Sequence, residues 1–123
     1  MQGNSWRLGL RAWWLPSAVL LLVLASPVGA AAQQVDAKAL YTRLCTACHG
    51  STGAGDGPAA AALTPRPASF TDSVFQSKRT DQQLTTAITD GKPPMMPGFG
   101  KQLSTPEIRS LVEYVRRLGK KTG

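Results

Sequence analysis

Strand signals are missing from this sequence. No stretch of its 123 residues alternates apolar and polar positions over the roughly four to eight residues a half-buried strand needs. No internal repeat and no low-complexity tract appears either, so the domain reads as all-α. Cysteine occurs twice and histidine once. Three such residues are too few for the four soft ligands of a structural zinc site, which usually come as two separated pairs. Acidic residues are scarce, 7 against 14 basic ones, for a formal net charge of +7. The basic residues are scattered rather than clustered, which gives no support to a nucleic-acid role.

The tryptophans, Trp6, Trp13 and Trp14, all lie near the start. Met1 to Trp14 carries Arg7 and Arg11 and no acid. The apolar run Leu15–Ala25 follows, and then Ser26–Ala32, rich in small residues. A basic start, an apolar middle and a small-residue exit form the layout of a secretory signal peptide. Ala30 and Ala32 suit cleavage after Ala32, with Ala30 as the second choice, and the separated arginines do not make a twin-arginine signal. The competing reading is an uncleaved membrane anchor. Against it, the uninterrupted apolar stretch falls short of the roughly 20 residues of a bilayer span, and Pro16 and Pro27 flank it. Residues 1–32 are therefore expected to be a signal peptide, and 33–123 a single exported domain with the periplasm as its compartment. Without Arg7 and Arg11, 12 basic residues face the same 7 acids, a net charge of +5.

Only five aromatic residues remain in that domain: Tyr41, Phe70, Phe75, Phe99 and Tyr114. Small domains with so thin a core often rely on a metal, disulfides or a cofactor. Helices are expected at three places. Asp36–Cys48 has Leu40 and Leu44 four apart, with Asp36 as N-cap. Thr80–Asp90 has Thr80 and Gln83 at capping-box spacing, with Gly91 just beyond the end. Ser104–Leu118 pairs Ser104 with Glu107 and carries an apolar stripe of Ile108, Leu111, Val112, Val115 and Leu118, with Gly119 as its stop. Short turns are expected at Ala59–Leu63 and Ser69–Gln76. Lys92–Gly100, with three prolines and two glycines, reads as an extended loop. The long irregular stretch Gly50–Lys78 makes sense if it wraps something apolar that is not protein.

Both cysteines and the histidine fall within CTACHG, as Cys45, Cys48 and His49. A disulfide across two intervening residues closes a tiny loop and constrains the unfolded chain little. A thioredoxin-like redox pair needs a βαβ setting that the sequence lacks. Covalent c-type haem attachment has this spacing as its signature. Positions three apart on a helical turn share a face, so two thioethers reach two vinyl groups on one porphyrin edge while the adjacent histidine is held under the iron. With His49 used, this chain supplies no second histidine, and ligation by two histidines is excluded. Beyond the leader the only methionines are Met95 and Met96. Met96, followed by Pro97, is taken as the sixth ligand, with Met95 second and an open or non-methionine site third. Ligation by His49 and Met96 raises the reduction potential and closes the iron to outside ligands, which favours electron transfer over oxygen chemistry.

The chain resembles a class I c-type cytochrome of the small bacterial, single-haem kind. CTACHG, the GDGP of Gly55–Pro58, the TDGK of Thr89–Lys92, the MPGFG of Met96–Gly100 and the helix LSTPEIRSLVEYVRRL carry the resemblance. It implies an orthogonal arrangement of helices around one covalently bound haem c, with the N- and C-terminal helices crossing beside it. Tyr41 would pack against Tyr114 or its neighbours. It also implies that a proline carbonyl accepts from the histidine nitrogen not bound to iron. Pro58, Pro65 and Pro67 compete for that role, with Pro67 preferred. The expected function is one-electron shuttling with no substrate chemistry on the polypeptide. The alternatives are an electron-transfer subunit of a larger periplasmic dehydrogenase or oxidase, and a haem enzyme or sensor with an open sixth site. Lys78, Arg79, Lys92 and Lys101 flank the distal loop and suit an acidic redox partner. Polar Arg109, Glu113 and Arg116 outside the apolar stripe suit a monomer or a subunit of a redox complex, with membrane contact only through an uncleaved leader.

Overall fold

A computed structural model of the protein describes residues 34–120. The expected signal peptide of residues 1–32 lies outside the described residues. Among those residues five α-helices follow in order: α1 (Ala37–Leu44), α2 (Thr46–His49), α3 (Ser73–Lys78), α4 (Asp81–Asp90) and α5 (Thr105–Lys120), with a 3₁₀ turn at Ala60–Ala62. No strand occurs among them, only an isolated bridge between Lys92 and Met96.

Local chemistry accounts for most helix starts. The Asp36 carboxylate accepts from the Ala39 N–H at 2.9 Å and starts α1. Asp72 does the same for α3 through the Val74 N–H at 2.8 Å. At α4 the Thr80 hydroxyl accepts from the Gln83 N–H at 3.2 Å, and the Gln83 side chain accepts from the Thr80 N–H at 3.0 Å, so the expected capping box is complete. At α5 only half of the box forms. Glu107 accepts from the Ser104 N–H at 2.7 Å, but the Ser104 hydroxyl also donates to Glu107 at 2.7 Å instead of accepting from the helix backbone. These bonds hold the Glu107 carboxyl below its ordinary range.

Two expected helix boundaries need correction. Asp36–Cys48 is not one helix. It breaks at Cys45, whose φ of −119° leaves the helical range, and the Thr46 hydroxyl donates back to the Thr42 carbonyl at 2.7 Å, a bond that bends helices. Gly119 does not stop α5, which continues through Lys120. A side chain there would collide with Gln76, whose Cδ would lie 2.5 Å from the added Cβ. Gly119 therefore admits Gln76 against the helix rather than ending it.

The core forms where α1, α3 and α4 pack on α5. Ile108, Leu111, Val112, Val115 and Leu118, the apolar stripe read from the sequence, are all buried, Leu111 being 2% exposed. Leu40 and Tyr41 of α1, Leu84 of α4, and Phe70, Phe99 and Leu103 from the connecting segments complete one cluster. Tyr41 is 1% exposed, and its ring sits 5.0 Å from that of Tyr114 at 43°, the contact expected between the first and last helices. Arg116 is not a solvated residue of the polar face. Its guanidinium reaches across to the α3–α4 junction, pairing with Asp81 at 2.7 Å and donating to the carbonyls of Gln76 at 2.8 Å and Arg79 at 2.5 Å.

Candidate functional site

The motif residues occupy the short helix that follows the break. The Cys45 N–H donates to the Tyr41 carbonyl at 2.9 Å, and the Cys45 carbonyl accepts from the N–H groups of His49 at 2.9 Å and Cys48 at 3.2 Å. Cys45, Cys48 and His49 thus share one closed turn. A helix of four residues cannot satisfy its own terminal carbonyls, and the loop after it does so. Gly50 donates to Thr46, Ala59 to Ala47, Gly57 to Cys48 and Gly55 to His49, at 2.9–3.1 Å. This close approach explains the glycine of GDGP at position 57: a Cβ there would lie 2.5 Å from the Thr46 carbonyl oxygen and closer still to that of Ala47. The Gly50 carbonyl in turn accepts from the buried Tyr41 hydroxyl at 2.9 Å.

Both cysteines are half-buried free thiols. Burial pushes the Cys45 thiol up to about 11, and the neighbouring Cys48 adds to the shift. At neutral pH Cys45 is therefore a protonated thiol. Redox-active cysteines sit in settings that favour the thiolate, and this setting of Cys45 does not.

His49 has one nitrogen engaged. Its Nδ1 lies 3.1 Å from the Ala68 carbonyl, and burial lowers its pKa while that bond opposes the shift. A neutral imidazole that donates from Nδ1 presents the Nε2 lone pair to a metal. The carbonyl acceptor belongs to Ala68 and not to Pro58, Pro65 or the preferred Pro67, which corrects that expectation by one residue. The bond depends on which peptide plane faces inward, and prolines fix φ without fixing that choice. The ring of Phe70 stacks flat against His49, at 4.4 Å and 19°. In the sequence Phe70 had no role beyond being one of five aromatics.

The two methionines differ in placement. Met96 is half-buried and packs against the apolar cluster, which Cys45 also touches, whereas Met95 is 41% exposed. The loop holding Met96 is fastened by the Lys92 N–H to the Met96 carbonyl at 2.8 Å and by the Met96 N–H to the Lys92 carbonyl at 3.0 Å. Phe99 and Gly100 donate to the Ile88 and Thr89 carbonyls at 2.8 and 3.0 Å, tying the next residues to the end of α4.

This donor set fits a covalently attached haem. Two reduced thiols on one turn can form thioethers, a neutral imidazole beside them has a free nitrogen, and a thioether faces the apolar cluster from another loop. An all-α domain built around such a turn is a c-type cytochrome domain. Residues 32–115 match the model of the family described as "Cytochrome C oxidase, cbb3-type, subunit III", and the chain belongs to this family of c-type cytochromes. Solved structures agree. The KustC0563 c-type cytochrome is 32% identical with a TM-score of 0.62, the match covering 68% of this chain and 98% of that one. A tyrosine-to-phenylalanine mutant of Kustc0563 is 30% identical with a TM-score of 0.60, covering 68% and 99%. No curated protein matches the chain. The family binds haem c covalently, and the iron of that cofactor supplies a one-electron couple, so the protein works by haem-based electron transfer.

Proposed function

We propose that the protein is an exported, periplasmic single-haem electron carrier in which Cys45 and Cys48 form the thioethers and His49 and Met96 are the axial ligands. The observation that carries this reading is the His49 bond. With Nδ1 donating to Ala68, Nε2 is the nitrogen free to ligate, on the same turn as two free thiols. Met96 is favoured over Met95 because it packs inward while Met95 is exposed to water. A ligand pair held by fastened loops keeps its geometry in both oxidation states, which limits reorganisation. Lys78, Arg79, Lys92 and Lys101 are all exposed, and together they offer an acidic redox partner a basic approach whose rate falls with added salt.

Optical spectra of the purified ferric holoprotein test the ligand set. The expected result is a low-spin form with a methionine–iron charge-transfer band, lost in Met96→Ala and kept in Met95→Ala. A high-spin form that takes up carbon monoxide readily would overturn the carrier reading in favour of an open-site enzyme or sensor. The family description supports a second reading, an electron-entry or exit subunit of a larger periplasmic oxidase or dehydrogenase. Native isolation without detergent separates the two: a stable catalytic partner favours the subunit, and a lone chain favours the free carrier.

A further inference from the structure

The segment 68–70 meets His49 twice, once through the Ala68 carbonyl at 3.1 Å and once through the flat stack of Phe70 at 4.4 Å and 19°. Phe70 is held from both sides of its backbone. Its N–H donates to the Gly53 carbonyl at 2.6 Å, and its carbonyl accepts from Gln76 Nε2 at 2.6 Å. Gln76 is itself fixed to α5: Nε2 also donates to the Val115 carbonyl at 3.0 Å, and Oε1 accepts from Arg116 Nη1 at 3.0 Å. A single glutamine side chain therefore links the ring over His49 to the last helix.

We propose that Phe70 is a positioning residue for the haem ligand: lying flat on His49 and anchored to α5 through Gln76, it fixes the rotation of the imidazole plane about the iron–nitrogen bond. The inference rests on His49 being the iron ligand. A ligating imidazole keeps that one soft torsion. The Nδ1 bond restrains it only loosely, because carbonyl acceptors tolerate a broad range of directions. A stacked ring restrains the plane itself, with a bias of about two- to tenfold between orientations. Second-shell contacts of this kind orient ligands and tune the metal. In a low-spin ferric haem the imidazole plane of His49, together with the thioether orientation of the other axial ligand, would select the iron orbital that carries the unpaired spin. The four haem methyl proton resonances report that choice by their order and spread.

Paramagnetic proton NMR of the ferric holoprotein is the test. Phe70→Leu is expected to reorder or compress the four methyl resonances, and Phe70→Tyr to restore the wild-type order. Phe75, whose ring lies 5.5 Å from that of Phe70, provides a packing control, so Phe75→Leu is expected to lower the melting temperature and leave the methyl order alone. An unchanged order in Phe70→Leu, or an equal change in Phe75→Leu, overturns the proposal. If Phe70→Leu does not accumulate in loaded form, Gln76→Glu decides. That variant keeps the ring but removes the amide donor to the Phe70 carbonyl, so a changed order supports the proposal and an unchanged one overturns it. The ligand reading fails separately, through the absence of hyperfine-shifted histidine ring protons in the wild type.

Discussion

Removing one oxygen from Tyr41 probes the joint between the helical core and the haem-binding turn. The Tyr41 hydroxyl is buried and donates to the carbonyl of Gly50, the residue after His49, at 2.9 Å. Tyr41→Phe keeps the ring contacts with Tyr114 and Phe70 and deletes only this bond. Leaving a buried carbonyl without its donor costs about 1–2 kcal/mol. For a domain of this size each kcal/mol moves the melting temperature by about 4–8 °C, so the variant should melt about 4–16 °C lower at pH 7. The pH dependence sharpens the test. Burial pushes the Tyr41 hydroxyl well above the usual tyrosine range. Above about pH 10 the unfolded tyrosine loses its proton while the folded one keeps it, so the wild type loses about 1.4 kcal/mol per pH unit from this group. Tyr41→Phe has no such group, and other titrations are shared. The gap between the two unfolding curves, followed by circular dichroism in urea, should therefore be constant below about pH 9.5 and close near pH 11. A gap that is absent at pH 7, or that stays constant from pH 9 to pH 11, refutes the reasoning.

Other expected outcomes follow from the same packing. Gly57→Ala puts a methyl group against the Thr46 and Ala47 carbonyls, so the turn must shift, and the yield of haem-loaded protein after export should fall sharply in pyridine haemochrome assays. Leu111→Ala, at a side chain 2% exposed in α5, should cost about 2–5 kcal/mol in chemical unfolding without altering the optical spectrum of the loaded form. Thr80→Ala removes the α4 cap and should cost about 0.5–2 kcal/mol by the same measurement, again with the spectrum unchanged.

Much of the fold was legible because it is written in local chemistry. Asp36, the Thr80–Gln83 pair and the α5 stripe each fix a helix through neighbours three or four residues away, and each lies where the sequence places it. Tyr41 and Tyr114 meet as the family resemblance implied. The break at Cys45 also has a local cause, the Thr46–Thr42 bond, but the other misreadings depend on a group distant in the chain or on a choice of backbone direction. Gly119 is occupied by Gln76 from α3, which helix-stop rules for an isolated segment do not anticipate. Arg116 looked solvent-facing on its own helix, yet its partners lie at the start of α4 and the end of α3. Ala68 replaces Pro67 because a carbonyl is available at every residue and only the loop path selects one. At the site, the attachment motif was plain from spacing, whereas Phe70 carries no signal in sequence that it covers His49.

The central claim is that a porphyrin is joined to Cys45 and Cys48 and completes the interior of a small helical domain. Intact mass spectrometry under denaturing conditions tests it most directly, on protein exported with the haem-attachment machinery present. The expected mass is that of the processed or full polypeptide plus one haem, surviving acid–acetone extraction in the wild type and lost in the Cys45→Ser, Cys48→Ser double variant. A wild-type mass equal to the bare polypeptide, or a haem that extraction removes, contradicts the account.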